Sequence, residues 1–402
     1  MTSEADEAAA AAGERGRLRL LQLTALTSTC DRFAIAPLLV VIGLDLGAPL
    51  AAVAVVASAY FLAYGLMQPV WGWVSDRIGR VRVMRVSLLG AALAGAASVL
   101  APNLLVLGVA RTVAGACFAA LIPATLVYVG DMWPAPVRQR PLADVLTASS
   151  LGTAVATAGA GGLADLIGWR AVPAATGIAA GALWLALRRL PEPDREAAAT
   201  RNPLRSIATV LRHPWALVVL ALVLVEGVIV LGVLTYLAPA VQALGASTAV
   251  AGLVAAAFGV GALAWSRVVR RLVGRWSATA LAAVGAGMLV AAWAVPSVAV
   301  TVPTVVVAGL LLGGSWAFLH TTLQGWITEV VPRERATAVA LFAALLFLGG
   351  SAGTAAVAPL ADAGAFGTAF RLAFAVSVPL ALAAVLARRR YGGGPGSAPA
   401  TE

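Results

Sequence analysis

Long uncharged stretches recur along this chain and constrain its fold more than any other feature. Residues 51–71 contain no Asp, Glu, Lys or Arg, and about 20 such residues form a helix that crosses a bilayer core of about 30 Å. With 61% hydrophobic and only 11% charged residues, the composition lies outside the range of soluble globular proteins. The sequence therefore predicts an all-α membrane protein.

Twelve stretches are long enough to cross a membrane. They comprise residues 18–43, 51–71, 83–101, 104–129, 141–163, 171–187, 215–237, 248–265, 278–295, 304–327, 336–360 and 367–386. We predict an N-terminal tail at residues 1–17, a six-helix bundle at 18–187, a cytoplasmic linker at 188–214, a second six-helix bundle at 215–387 and a disordered tail at 388–402. Apolar residues at helical spacing inside the linker predict either a short helix on the membrane surface or a solvated segment.

The basic residues predict how the chain is oriented in the membrane. All 28 are arginine, and the formal net charge is +10. They fall between apolar stretches rather than along one face, so we interpret them as loop charges and expect no nucleic-acid partner. If both termini are cytoplasmic, the opposite side holds only Arg170 and Arg371. Cytoplasmic loops are enriched in arginine, which predicts a multi-pass protein of the cell inner membrane with both termini cytoplasmic.

One loop carries a specific pattern at residues 72–82, GWVSDRIGRVR, between two apolar stretches. We expect Gly72 and Gly79 to allow a tight turn between two helices, and Arg77 and Arg80 to hold that turn on the cytoplasmic side. The pattern G-x-x-x-D-R-x-G-R, which includes Asp76, resembles the signature loop between helices 2 and 3 of the major facilitator superfamily.

This resemblance implies twelve transmembrane helices in two pseudo-symmetric six-helix halves, with a substrate cavity between them near the midplane. It also implies that Asp76 stabilises the outward-facing state by meeting the start of helix 11, near Arg335 to Thr337, and that Arg80 pairs with Asp131. Weak internal repeats agree with two halves, since Asp131-x-x-Pro134 recurs as Glu329-x-x-Pro332. Arg271 stands where the second copy of the loop would have its aspartate, so the two halves are expected to function asymmetrically.

Polar residues inside predicted spans are costly and therefore suggest function. They lie in spans 1, 4, 7 and 10, the helices that line the cavity in the superfamily: Asp31, Arg32, Arg111, Glu226, His320 and Gln324. A rise of about 1.5 Å per residue places Asp31 and Arg111 at one depth, where they can pair. The same estimate places His320 closer to the cytoplasm than Glu226, so we expect no contact between them. The simpler interpretation of each site is a fixed buried contact that orients helices.

A closer resemblance is to the twelve-span drug and sugar proton antiporters, carried by residues 30–37 of span 1, by Arg111-x-x-x-Gly115 and by residues 320–324. In that group an acidic residue of span 1 takes the proton and an arginine of span 4 tunes it. The resemblance thus implies that Asp31 carries the proton and that Arg111 sets its affinity, with Glu226 as the rival carrier. Span 5 lacks the Gly-Pro pair that is typical of these antiporters, which leaves the direction of transport open.

The function predicted from these features is proton-coupled efflux of small, partly apolar molecules by alternating access. The alternatives are proton-coupled uptake of a small metabolite and, more remotely, a membrane-embedded enzyme or sensor. Five aromatic residues are expected either to contact the substrate or to pack between helices: Tyr60, Tyr64, Tyr236, Trp316 and Trp326. Cys30 and Cys117 lack metal-ligand spacing. We expect no cofactor, no metal and no enzymatic activity, with substrate, protons and the lipid bilayer as partners of a monomer.

Overall fold

The computed structural model describes residues 2–193 and 203–391, and these ranges are helical almost throughout. Eleven helices within them are long and apolar enough to cross a membrane. A twelfth, Gln139–Leu166, has 28 residues, and its middle is rich in Gly, Ser and Thr rather than in large apolar side chains. The predicted twelve-helix architecture is therefore confirmed.

The spans are numbered in chain order. They are span 1, Gly13–Leu46; span 2, Leu50–Ile78; span 3, Arg80–Val99; span 4, Leu104–Met132; span 5, Gln139–Leu166; span 6, Ala171–Arg189; span 7, Pro214–Gln242; span 8, Thr248–Leu272; span 9, Ala278–Val298; span 10, Val302–Val330; span 11, Pro332–Asp362; and span 12, Phe366–Tyr391. We call the side of the bundle at which span 1 begins and span 12 ends the terminal face, and the other side the distal face.

Several helices extend further toward the terminal face than predicted. The first helix begins at Thr2, within the predicted tail, and span 10 ends at Val330 rather than at residue 327. Long charged side chains near these ends let a helix continue past the hydrocarbon core, because they reach polar surroundings while their stems stay apolar. Span 12 likewise continues to Tyr391, so the predicted disordered tail begins too early. Its residues 392–402 lie outside the described ranges.

The central linker contains the helix Pro203–Arg212, while its residues 194–202 lie outside the described ranges. Val210 is fully buried. Leu204 and Leu211 lie on another side of the helix and are 74% and 43% exposed. One apolar surface therefore packs on the bundle, and another is largely exposed. That the helix rests on the membrane, and that both termini are cytoplasmic, stay predictions.

The two halves contact each other at the distal face. Three hydrogen bonds cross between them there: Ala51 N to Asp362 Oδ1 at 3.2 Å, Ala249 N to Asp165 Oδ2 at 2.9 Å, and Gln242 Nε2 to the Pro37 carbonyl at 3.0 Å. Gly161 of span 5 and Gly252 of span 8 bring their backbones so close that a Cβ on either would clash with a carbonyl oxygen of the other span. This conformation is therefore closed on the distal face.

Candidate functional site

A buried ion pair joins spans 1 and 4 in the N-terminal half. Arg111 donates from Nη2 to Asp31 Oδ2 at 2.7 Å and from Nη1 to Oδ1 at 3.0 Å. Thr176 of span 6 donates a third hydrogen bond to Asp31 Oδ1 at 2.8 Å, and the guanidinium lies 5.0 Å from the Tyr60 ring centroid. Asp31 and Arg111 are only 2% and 6% exposed. The depth estimate from the sequence thus placed these two residues correctly.

Arg32 points away from this pair, since successive residues on a helix are separated by about 100°. Its Nη1 donates to the Tyr64 hydroxyl at 3.0 Å, and its guanidinium lies 5.0 Å from the Phe33 ring and 5.2 Å from the Phe347 ring of span 11. Arg32 also borders a small space of about 20 Å³ between the halves. Of the two neighbours, Arg32 and not Asp31 therefore faces the space between the halves.

A second pair lies wholly within the C-terminal half. His320 Nδ1 of span 10 is 2.9 Å from Glu226 Oε2 of span 7, so the expectation that these residues do not touch is wrong. Span 10 ends at Val330, which places His320 about 15 Å from the helix end and level with Glu226. π-helical turns at Val228–Gly232 and Trp316–His320 also shift both helices in register at this point.

The surroundings of the second pair are apolar and aromatic. The His320 ring stacks on Trp316, with centroids 3.7 Å apart and planes inclined by 12°, and the Phe342 ring lies 5.3 Å away. Glu226 is completely buried, and its Oε1 has no hydrogen-bond partner among the described residues. Gln324, predicted to share this site, is exposed one turn further along span 10 and is not part of the pair.

The signature loop forms an ion-pair network at the terminal face. Arg80 Nη1 lies 2.5 Å from Asp76 Oδ1 and Arg80 Nε lies 3.3 Å from Asp131 Oδ2, so the expected Arg80–Asp131 contact is present. In this conformation, which is closed at the distal face, the hydrogen bond and ion pair of Asp76 go to Arg80, and none between described residues reaches residues 335–337 of span 11. Arg80 is one turn away from Asp76, whose side chain is 57% exposed. Arg77 lies 3.9 Å from the Trp73 ring centroid.

The two glycines of the loop differ in role. Gly79 makes the turn between spans 2 and 3 with φ +106°, a backbone conformation that favours glycine. Gly72 lies inside the helix of span 2, so its predicted place in the turn is wrong. The turn needs only one residue, because span 3 begins directly at Arg80.

Known proteins share both the sequence pattern and this fold. A sequence profile of the Major Facilitator Superfamily matches residues 21–354. The chain belongs to the major facilitator superfamily. It is therefore a multi-pass membrane transporter and not an enzyme.

Two curated relatives match this protein over limited regions. One, a triacylglyceride transporter of Mycolicibacterium hassiacum, is 38% identical over 97 residues, which cover 24% of this chain and 18% of the relative. The other, a puromycin resistance protein of Streptomyces alboniger, is 35% identical over 116 residues, which cover 29% and 23%. The chain thus spans less than a quarter of the length of each of these two relatives.

Solved transporter structures match nearly the whole chain at low identity. The nucleoside transporter NupG superposes with a TM-score of 0.78 at 13% identity, covering 92% of this chain and 99% of NupG. A bacterial homologue of the human lysosomal transporter Spinster gives 0.74 at 17% identity, covering 94% and 98%. At such identities these likenesses show the superfamily fold alone.

The predicted aromatic residues lie mostly in packing positions of the superfamily fold. Tyr236 donates to the Thr354 carbonyl, and Trp326 packs on Trp215 at 5.9 Å. The five predicted aromatics do not line the space between the halves. Its aromatic wall consists of three phenylalanines that the sequence reading did not select: Phe33, Phe61 and Phe258. Nothing in their spacing distinguishes them from core residues.

Sequence reasoning also missed Glu192 in the linker after span 6. Its carboxylate accepts hydrogen bonds from Val81 N at 3.1 Å and from Arg82 N at 3.2 Å, which satisfies free N–H groups in the first turn of span 3. A Cβ on Gly79 would lie 2.5 Å from Glu192 Oε1, so glycine also leaves room for this cap. The partners are more than 100 residues apart, and local patterns do not reveal such a contact.

Proposed function

We propose that this transporter exports small, partly apolar organic molecules in exchange for protons, by alternating access between its two halves. The observation that supports it is the lining of the space between the halves. Among the described residues that line it, Arg32 is the one cation, three threonines supply hydroxyls, and phenylalanines and aliphatic residues make up the rest: Phe33, Phe61, Thr153, Thr157, Thr235 and Phe258. Such a wall suits a molecule with one polar or anionic group and an apolar body.

The relatives support the same substrate class. One is named for a triacylglyceride and another for puromycin resistance, and efflux is one way in which a membrane transporter produces resistance. Because the matched regions are short, the names indicate a class and not a particular substrate. The missing Gly-Pro pair of span 5 keeps proton-coupled uptake as the second candidate.

Proton coupling is proposed from the charged residues inside the spans. Ionisable side chains in the middle of a membrane are expensive and mark ion and proton sites, and each half holds one buried pair. The hypothesis from sequence puts the proton on Asp31, with Arg111 setting its affinity and Glu226 as the rival. In an exchange mechanism the proton and the substrate favour opposite conformations, so that loading one releases the other.

The test is transport of radiolabelled puromycin into proteoliposomes, with the pH gradient imposed in either direction. We expect puromycin to move against the proton gradient, and Arg32→Gln to reduce the rate at least fivefold. Arg371→Gln is the matched control, because Arg371 is exposed near the distal end of span 12. Movement of puromycin together with protons would establish uptake. A rate that is independent of the gradient in both directions would exclude coupling.

A further inference from the structure

The two buried pairs differ in the number of protons they need to be neutral. Asp31 as a carboxylate and Arg111 as a guanidinium cancel without any exchangeable proton, since arginine stays charged in proteins. Glu226 as a carboxylate beside a neutral His320 leaves one negative charge, with the Glu226 side chain 0% exposed. One bound proton removes that charge, either as a carboxylic acid or as an imidazolium.

The hydrogen bonds of the two carboxylates, like their charges, favour proton binding at Glu226 rather than at Asp31. The Asp31 carboxylate accepts from Arg111 Nη1, Arg111 Nη2 and Thr176 Oγ1, so its ionised form is well satisfied. Glu226 has a single hydrogen bond, to His320, and its Oε1 has none among the described residues. An ionised carboxylate that is fully buried with so few donors is strongly disfavoured, and such a group takes up a proton instead.

Elements packed around this pair carry no other charge at its level. Span 7 adds Tyr236, which donates to Thr354, and span 10 adds Glu329 near its end. Between their terminal turns, spans 9 and 11 have no Asp, Glu, His, Cys, Tyr, Lys or Arg, and spans 8 and 12 have only Arg267 and Arg371, each five residues from the nearer end of its span. At the terminal face, Arg388 of span 12 is paired with Glu329 at 2.8 Å. Among the described residues, His320 is the one hydrogen-bond partner of the Glu226 carboxylate, which leaves a proton as the group that neutralises it.

We propose that Glu226 and His320 form the proton-binding site of this transporter and hold one proton in the conformation closed at the distal face, whereas Asp31 and Arg111 hold none and act as a fixed strut. The site is a refinement of the proposed function and rests on it for its role in transport. It moves the coupling proton from the N-terminal half, where sequence resemblance puts it, to the C-terminal half.

Proton uptake follows from the geometry of the pair. Glu226 has no exposed surface, while the His320 side chain keeps 7%, so the imidazole is the point of entry. A proton binds Nε2 of the ring, and the proton on Nδ1 then either stays in the hydrogen bond or passes to Glu226 Oε2, which leaves His320 neutral. The Trp316 face at 3.7 Å stabilises the charged ring meanwhile.

The proposal is tested without substrate or gradient, by infrared difference spectroscopy of the purified full-length protein in nanodiscs. Above about pH 6 exposed carboxyls, with ordinary pKa values near 4, are ionised, so a remaining carboxylic C=O band reports a buried acid. We expect one such band in the wild type, shifted by D₂O, retained in Asp31→Asn/Arg111→Gln and lost in Glu226→Gln. The double variant removes both charges together and leaves no unpaired arginine.

The histidine side is measured in the same samples. The chain has only two histidines, so ¹⁵N-histidine labelling in a His213→Gln background leaves His320 as the single ring signal. We expect the ring shifts to change with pH at the same midpoint as the carboxyl band, and Glu226→Gln to move that midpoint. Glu226→Gln keeps the size and an acceptor oxygen for His320, which limits misfolding.

Two results would overturn the proposal. A C=O band that persists in Glu226→Gln and disappears in the double variant would put the proton on Asp31. Absence of the band in the wild type, with no pH-dependent change at His320, would mean that neither pair binds a proton. If the band behaves as expected but transport is insensitive to pH, the site stands and the proposed coupling fails.

Discussion

The two halves of this transporter bury charge in different ways. In the N-terminal half, Asp31 and Arg111 form a two-pronged ion pair with a third donor from Thr176. In the C-terminal half, Glu226 meets only His320 and leaves one oxygen without a partner among the described residues. In the first pair, the ionised Asp31 carboxylate already has its cation and its hydrogen-bond donors. The second is the one that we propose to take up a single proton, as a coupling site must.

The ion pairs at the terminal face also differ between the two halves. In the N-terminal half Arg80 connects Asp76 and Asp131, and Glu192 caps span 3. In the C-terminal half Arg271 replaces the aspartate, and Glu329 pairs with Arg388 of span 12 instead. The network of the N-terminal half ties spans 2, 3 and 4 together. This favours an N-terminal half that moves as a rigid body, while the proposed proton site lies in the C-terminal half.

Removal of Arg111 should have the largest effect of any single change to the two pairs. Arg111→Ala leaves the Asp31 carboxylate buried without its cation, and breaking a buried pair costs about 3 to 5 kcal/mol. We expect that loss in the free energy of unfolding, measured by thermal denaturation in detergent. Asp31→Asn/Arg111→Gln should recover most of it. If Arg111→Ala unfolds like the wild type, the N-terminal pair is not a strut.

Glu226→Gln should have the opposite profile, with a small effect on stability and a large one on transport. Gln keeps the shape and the acceptor for His320 but cannot carry the proton. We expect gradient-driven puromycin flux to fall at least tenfold and substrate binding to lose its pH dependence, while thermal stability stays close to that of the wild type. Unchanged pH dependence in Glu226→Gln, with loss in Asp31→Asn, would reverse the roles of the two halves.

The contrast between the pairs also explains which contacts could be predicted from the sequence. The Asp31–Arg111 contact follows from counting residues to the ends of spans 1 and 4. The Glu226–His320 contact does not, because span 10 continues to Val330 and two π-helical turns lie beside the pair. Eleven of the spans follow from apolar length, whereas span 5 is long enough but is built largely of small and weakly polar residues. The Glu192 cap and the phenylalanine wall depend on tertiary packing that no local pattern encodes.

Asp76→Asn should have an intermediate effect and tests the asymmetry of the terminal faces. Asp76 is more than half exposed and bonded to Arg80, so its pair contributes little to stability in water. Its loss frees Arg80 to engage Asp131 alone. We expect transport to fall about threefold, with expression and ligand binding retained. Wild-type transport rates would show that the loop network does not control the conformational change, and Arg271→Gln is the matched variant in the other half.

Thr176→Val should have the smallest effect and measures how well Asp31 is satisfied. The substitution removes one of the three donors to the carboxylate at similar side-chain volume, and a single hydrogen bond to a charged group contributes about 1.5 to 3 kcal/mol, less where other donors remain. Because the two guanidinium bonds persist, we expect a stability loss near the lower limit, about 1.5 kcal/mol, and no carboxylic C=O band from Asp31 above about pH 6. A new band in Thr176→Val would show that Asp31 is close to taking a proton, and that the difference between the halves is one of degree set by a single hydroxyl.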